Sequence, residues 1–95
     1  MRLTKFEAET IRAIVKENIK DADVYLFGSR VDDKKKGGDI DILIISDHDV
    51  TLRMRRKIYL ELEDELGEQK IDIVAANREK LVPFARLAML EGIKL

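Results

Sequence analysis

Residues 24–46, VYLFGSRVDDKKKGGDIDILIIS, decide how the chain is read. An apolar run ends in Gly28, Ser29 and Arg30. A polar loop containing glycine follows, and a second apolar run then carries Asp39 and Asp41. Side chains alternate faces along a strand, so Asp39 and Asp41 project to one side and Ile40 and Ile42 to the other. Two like charges side by side on a strand are unfavourable unless a cation sits between them. KIDIVAA (residues 70–76) repeats the device, with Asp72 between two isoleucines. Three carboxylates in apolar strands predict a metal site, and the remaining segments are read as its support.

Composition sets the frame. A chain of 95 residues, 45% hydrophobic and 39% charged, fits one globular domain with a single core rather than a disordered chain. No apolar run approaches the ~20 residues that span a bilayer, and residues 1–20 lack a signal-peptide pattern, so a cytoplasmic location is expected. The absence of cysteine excludes a disulfide framework, a thiolate nucleophile and a zinc–thiolate site. With a net charge of −1 the molecule as a whole does not attract nucleic acid, so an anionic ligand has to be held by local features.

Around the central stretch, Thr4, Lys5, Phe6 and Glu7 fit a capping box. Ala8, Ile11, Ile14, Val15 and Ile19 then form one apolar stripe, predicting a helix over 4–19. Strands are predicted over 24–27, 39–45 and 70–75. The middle one is apolar on both faces apart from its aspartates, as in a strand covered on both sides. Asp47 or Asp49 can cap a helix over 50–66, with Gly67 as its stop and Leu52, Met54, Ile58, Tyr59, Leu62 and Leu66 on one broad face. Asn77 can cap a last helical region that Pro83 splits or restarts, with Leu81, Phe84, Ala85, Leu87, Ala88 and Leu90 as its core face. Gly92 ends it, and 93–95 can add an edge strand. The expected fold is α/β (α+β), a small mixed sheet flanked by helices. Its first two strands are antiparallel, and the second and third are parallel through a right-handed crossover.

Three carboxylates without histidine or cysteine make a hard, all-oxygen donor set suited to Mg²⁺ or Mn²⁺, ions that share a nucleotide's phosphates. Two such ions can activate an attacking oxygen and stabilise a leaving pyrophosphate. Gly28 lets backbone approach phosphates closely, amides and the Ser29 hydroxyl can donate to them, and Arg30 can neutralise a further charge. Each piece alone is common. Their order discriminates: Gly-Ser at a strand end, nine residues, Asp-x-Asp in an apolar strand, then a further strand with an aspartate.

That order resembles the minimal nucleotidyltransferases (MNT) of the DNA polymerase β-like superfamily, on the residues FGSR, GGDIDILI and KIDIV. The resemblance covers nearly the whole chain. The ending LEGIKL is similar to the way these small proteins close, which argues against a truncated fragment. It implies the polymerase β-like nucleotidyltransferase fold over 1–95. Asp39 and Asp41 would bind both metal ions, and Asp72 would complete one metal site and help deprotonate the acceptor. Gly28 and Ser29 would hold the triphosphate, and Arg30 matches a G-S-R variant. Gly38 stands where the family often has serine, which removes one hydroxyl contact and leaves the carboxylates intact. The implied reaction moves a nucleoside monophosphate, usually AMP from ATP, onto a hydroxyl. Related antibiotic adenylyltransferases and polymerases hold their substrates with additional domains, so a bare module needs its acceptor supplied by another protein. The partner that the resemblance implies is a small helical HEPN-domain protein, often a ribonuclease toxin, with the MNT chain as antitoxin in a homo- or hetero-oligomer.

Two other classes stand beside this reading. One is a catalytically weak or inactive binding module that neutralises its partner by complex formation. The other is a nucleic-acid-binding domain using Arg53, Arg56 and Lys57, for which a solvated face is the simpler account. His48 and the run Lys34, Lys35, Lys36 are read as exposed loop residues, with residues 31–38 expected to be mobile. Tyr25 and Tyr59 are read as core edges. Leu87, Met89 and Leu90 are too many for one narrow stripe, so their helix is either well buried or carries a partner interface.

Overall fold

The structure is a computed structural model that describes residues 2–32 and 38–95. The expectations for residues 33–37, the lysine run Lys34, Lys35, Lys36 included, fall outside the described residues. The elements are α1 (Lys5–Asn18), β1 (Asp23–Phe27), a 3-10 turn (Gly28–Val31), β2 (Ile40–Ser46), α2 (Leu52–Leu66), β3 (Ile71–Asn77), a 3-10 turn (Arg78–Lys80), α3 (Pro83–Glu91) and β4 (Ile93–Lys94). One sheet has the order β3-β2-β1-β4. β1 runs antiparallel to β2 and β4, and β2 and β3 are parallel, joined by the helical crossover α2.

The sheet is covered on both faces. Ile40, Ile42 and Ile44 alternate onto one face with Val24 and Leu26, where Ile11, Ile14 and Val15 of α1 and Ile58 and Leu62 of α2 close over them. Leu43 and Ile45 alternate onto the other, against Ala85 and Ala88 of α3. The capping box of α1 is complete: the Glu7 amide donates to Thr4 Oγ1 at 3.0 Å, and the Thr4 amide donates to Glu7 Oε1 at 2.9 Å.

Three expectations are corrected. Thr51, rather than Asp47 or Asp49, caps α2, its hydroxyl accepting the Met54 amide at 3.1 Å. The two aspartates are engaged elsewhere, Asp47 by Arg78 and Asp49 by Asn77 Nδ2 at 2.9 Å. Leu52 leaves the core face of α2 at 71% exposure. At ~100° per residue it stands roughly 120° around the helix from buried Ile58. On α3 only Ala85 and Ala88 are buried, while Phe84, Leu87 and Leu90 are exposed at 49%, 52% and 82%. The two alanines, three residues apart, set the helix close to the sheet and turn its larger side chains outward. The reading of that helix as well buried does not hold.

Asn77 caps only the turn Arg78–Lys80, through the Glu79 amide at 2.9 Å, and Pro83 opens α3 at its first turn, where a missing amide costs nothing. At the sheet end where β1 begins, Arg78 gathers Asp21, Asp23 and Asp47, and the hydroxyl of buried Ser46 donates to Asp21 at 3.1 Å.

Candidate active site

The site forms at the other end of the sheet, where β1 finishes and β2 and β3 begin. Phe27, Asp41 and Asp72 lie in one row across the three strands: Phe27 is the register partner of Asp41, and Asp41 that of Asp72. Partners in register project to the same face, so two carboxylates and an aromatic ring leave the sheet side by side. Gly28, next along β1, turns the chain at φ +76°. Its Cα lies so close to Asp41 that a β-carbon there would overlap Oδ2 and stand 3.2 Å from Cγ. The glycine is therefore required twice, for its backbone angle and for the approach of the turn to the carboxylate.

Electrostatics mark Asp41. Burial pushes its carboxyl above the usual carboxylate value, and the Asp72 and Asp39 carboxylates and a hydrogen bond with Asp72 push it the same way. Lys70 opposes them, its Nζ lying 3.4 Å from Asp39 Oδ2. Among the described residues no three acidic or histidine side chains are already drawn into a metal cage. The donor chemistry nevertheless fits a hard divalent cation: an all-oxygen set in which half-buried Asp41 bears the unfavourable charge that a cation relieves. Lys70 stands where such a cation would act on Asp39, and its two-residue spacing from Asp72 is the mark it leaves in the sequence.

The other expected residues divide. The Ser29 backbone lies in the turn that begins at Gly28. Arg30 spends two donor groups on backbone carbonyls, NH1 on Arg2 O at 2.8 Å and Nε on Gly38 O at 3.3 Å, and the Arg2 amide returns a bond to Arg30 O at 2.7 Å. It therefore ties the N-terminal segment to the entry of β2. His48 lies past the far end of β2, on the order of 20 Å from Asp41 at ~3.3 Å per residue. Its backbone amide donates to Ser46 Oγ at 3.2 Å.

Beside the carboxylates opens a cleft of about 440 Å³, walled by Phe27, Gly28 and Val31 on one side and by Phe84, Leu87 and Glu91 of α3 on the other. Phe27 and Phe84 meet edge to face, with centroids 5.4 Å apart and planes at 83°. Sequence reasoning missed this cleft, because only the placement of α3 against the end of β1 creates it.

Residues 9–95 match the family described as polymerase beta, nucleotidyltransferase. No match is found among curated proteins. Among solved structures, the chain is similar to one from the complex of a tri-AMPylated Shewanella oneidensis HEPN toxin with an MNT antitoxin. The TM-score is 0.70 and the identity 20%, over 95% of this chain and 69% of that one. It is also similar to chains from two mutants of the toxin–antitoxin MntA-HpeT. One gives a TM-score of 0.73 and 18% identity over 92% and 70% of the respective chains. The other gives 0.69 and 21% over 92% and 68%. A family match over all but the first eight residues, on the strands that carry the carboxylates, settles the kinship: the chain belongs to the polymerase beta nucleotidyltransferases and has the MNT fold.

Proposed function

We propose that the chain is a protein adenylyltransferase, moving AMP from ATP to a hydroxyl of a small helical HEPN-domain partner and acting as its antitoxin. The observation that carries this reading is the row of Asp41 and Asp72 with Gly28 set against Asp41. The family membership and the AMP-bearing toxin of the similar complex support it.

Asp39, Asp41 and Asp72 are the residues that would hold Mg²⁺, or Mn²⁺ in its place. The chemistry gained from the bound ions is neutralisation of triphosphate charge and activation of the attacking oxygen. The Gly28 turn keeps the phosphates close to backbone amides. The acceptor oxygen bonds to the α-phosphorus, the bond from that phosphorus to the bridging oxygen breaks, and pyrophosphate departs. Asp72, the most exposed of the three, would take the acceptor's proton.

Incubation with labelled ATP, Mg²⁺ and the partner protein tests this. Label is expected on the partner with the wild-type chain and none with Asp41→Asn; equal labelling by the variant overturns the assignment. A second reading, neutralisation by complex formation with a quiet site, draws on the Lys70–Asp39 ion pair, in which a resident lysine answers part of the carboxylate charge. Full neutralisation by an Asp39→Asn, Asp41→Asn double variant would favour it.

A further inference from the structure

We propose that the cleft beside Gly28 seats the base and ribose of the nucleotide whose phosphates are handled at the carboxylates. This rests on the nucleotidyltransferase reading and adds to it the place and the residues of nucleoside recognition. Phe27 and Asp41 are register partners on neighbouring strands, whose backbones lie about 5 Å apart. A nucleoside against the Phe27 side of the cleft is therefore within one sugar's reach of a phosphorus at Asp41. Gly28 forms the shared wall, and with no side chain of its own it leaves the passage from cleft to carboxylate open.

The chemistry of the walls selects which half of the nucleotide enters. Phe27, Val31, Phe84, Leu87 and Ala88 offer apolar surface suited to the flat face of a base. At about 440 Å³ the cleft falls in the ~300–1,000 Å³ range of small-ligand sites. The Glu91 carboxylate among its lining repels phosphate and can accept hydrogen bonds from ribose hydroxyls. The polyphosphate is thus directed to the Gly28 turn and the nucleoside to α3. The half-exposure of Phe84 and Leu87, unexpected for a core helix, is explained as surface that a base covers.

Titration calorimetry on the full chain in Mg²⁺ buffer, with ATP and with inorganic tripolyphosphate, separates the two halves. Leu87→Glu and Phe84→Ala, both at exposed positions, are expected to lose about tenfold or more in ATP affinity, the scale of one lost aromatic or apolar contact. Their tripolyphosphate affinity is expected to stay within about twofold, and Leu90→Glu, on the same helix but outside the cleft, to change neither. Unchanged ATP affinity in both cleft variants overturns the inference and leaves the cleft to a side chain of a protein partner. A wild-type chain that binds neither ligand, or an Asp41→Asn variant that binds both undiminished, overturns the underlying nucleotidyltransferase reading, and this inference with it.

Discussion

Gly28 lies so close to Asp41 that a β-carbon on it would overlap Asp41 Oδ2. The turn that ends β1 and the central carboxylate are thereby built as one unit. The glycine supplies the φ of +76° that ends β1 and the clearance that lets the turn touch the site.

Gly28→Ala is therefore expected to be destabilising on two counts. The left-handed backbone costs about 1–2 kcal/mol for a residue with a β-carbon, and the collision with Asp41 adds to it. Gly67→Ala is the control, since Gly67 has a similar φ of +80° but nothing within 4 Å of where the new methyl group would stand. Urea denaturation of both variants isolates the collision as the difference between them. Equal losses of stability would mean that the contact with Asp41 carries no weight.

Asp41→Asn should stabilise the metal-free protein at neutral pH while reducing transfer by about a hundredfold or more, the scale of losing one strong electrostatic contact to a transition state. The sign follows from linkage. The Asp41 carboxyl is raised above its unfolded value, so its contribution is most favourable below the unfolded pKa, near ~4, and is lost as pH rises through the folded pKa. Thermal melts of wild type and variant from pH 4 to 8 should diverge with rising pH, the variant melting higher. Parallel curves would show that Asp41 is not electrostatically strained.

Divalent cations should raise the melting temperature of the wild-type chain and leave Asp39→Asn, Asp41→Asn unmoved. Lys70→Ala should tighten Mg²⁺ or Mn²⁺ binding roughly two- to fivefold, because it removes the exposed lysine that pairs with Asp39, an interaction worth under about 1 kcal/mol. Weaker metal binding in Lys70→Ala would instead assign the lysine a supporting role.

The opposite end of the sheet should respond to acid with the opposite sign. Asp21 is held below the usual carboxylate value, first by the Asp47 amide, which donates to it at 2.6 Å, and also by the Ser46 hydroxyl. Its contribution is present above the unfolded pKa and lost as pH falls through the folded one. Arg78→Ala, which frees Asp21, Asp23 and Asp47 together, should cost more stability than Lys5→Ala, whose pair with Glu9 at 3.9 Å is solvent-exposed. Chemical denaturation at neutral pH makes the comparison; equal losses would reduce the Arg78 cluster to surface decoration.

The sequence by itself determined the order and faces of the central strands. The alternation Asp39-Ile40-Asp41-Ile42 and its echo around Asp72 left one arrangement that buries the isoleucines, and the Thr4 to Glu7 box fixed the start of α1, because these signals are local. It also marked Gly28 and the carboxylates, since charge in an apolar strand demands a partner. Only the tertiary structure decided that Thr51 caps α2, because Asp47 and Asp49 are taken by Arg78 and Asn77, residues about thirty positions away. It alone set Arg30 on backbone carbonyls, brought Lys70 to Asp39, and laid α3 on its two alanines so that Phe84 and Leu87 wall a cleft. Periodicity shows that a helix has an apolar face; which part of that face meets the sheet depends on side-chain size at the contact, and that is settled only when the elements pack.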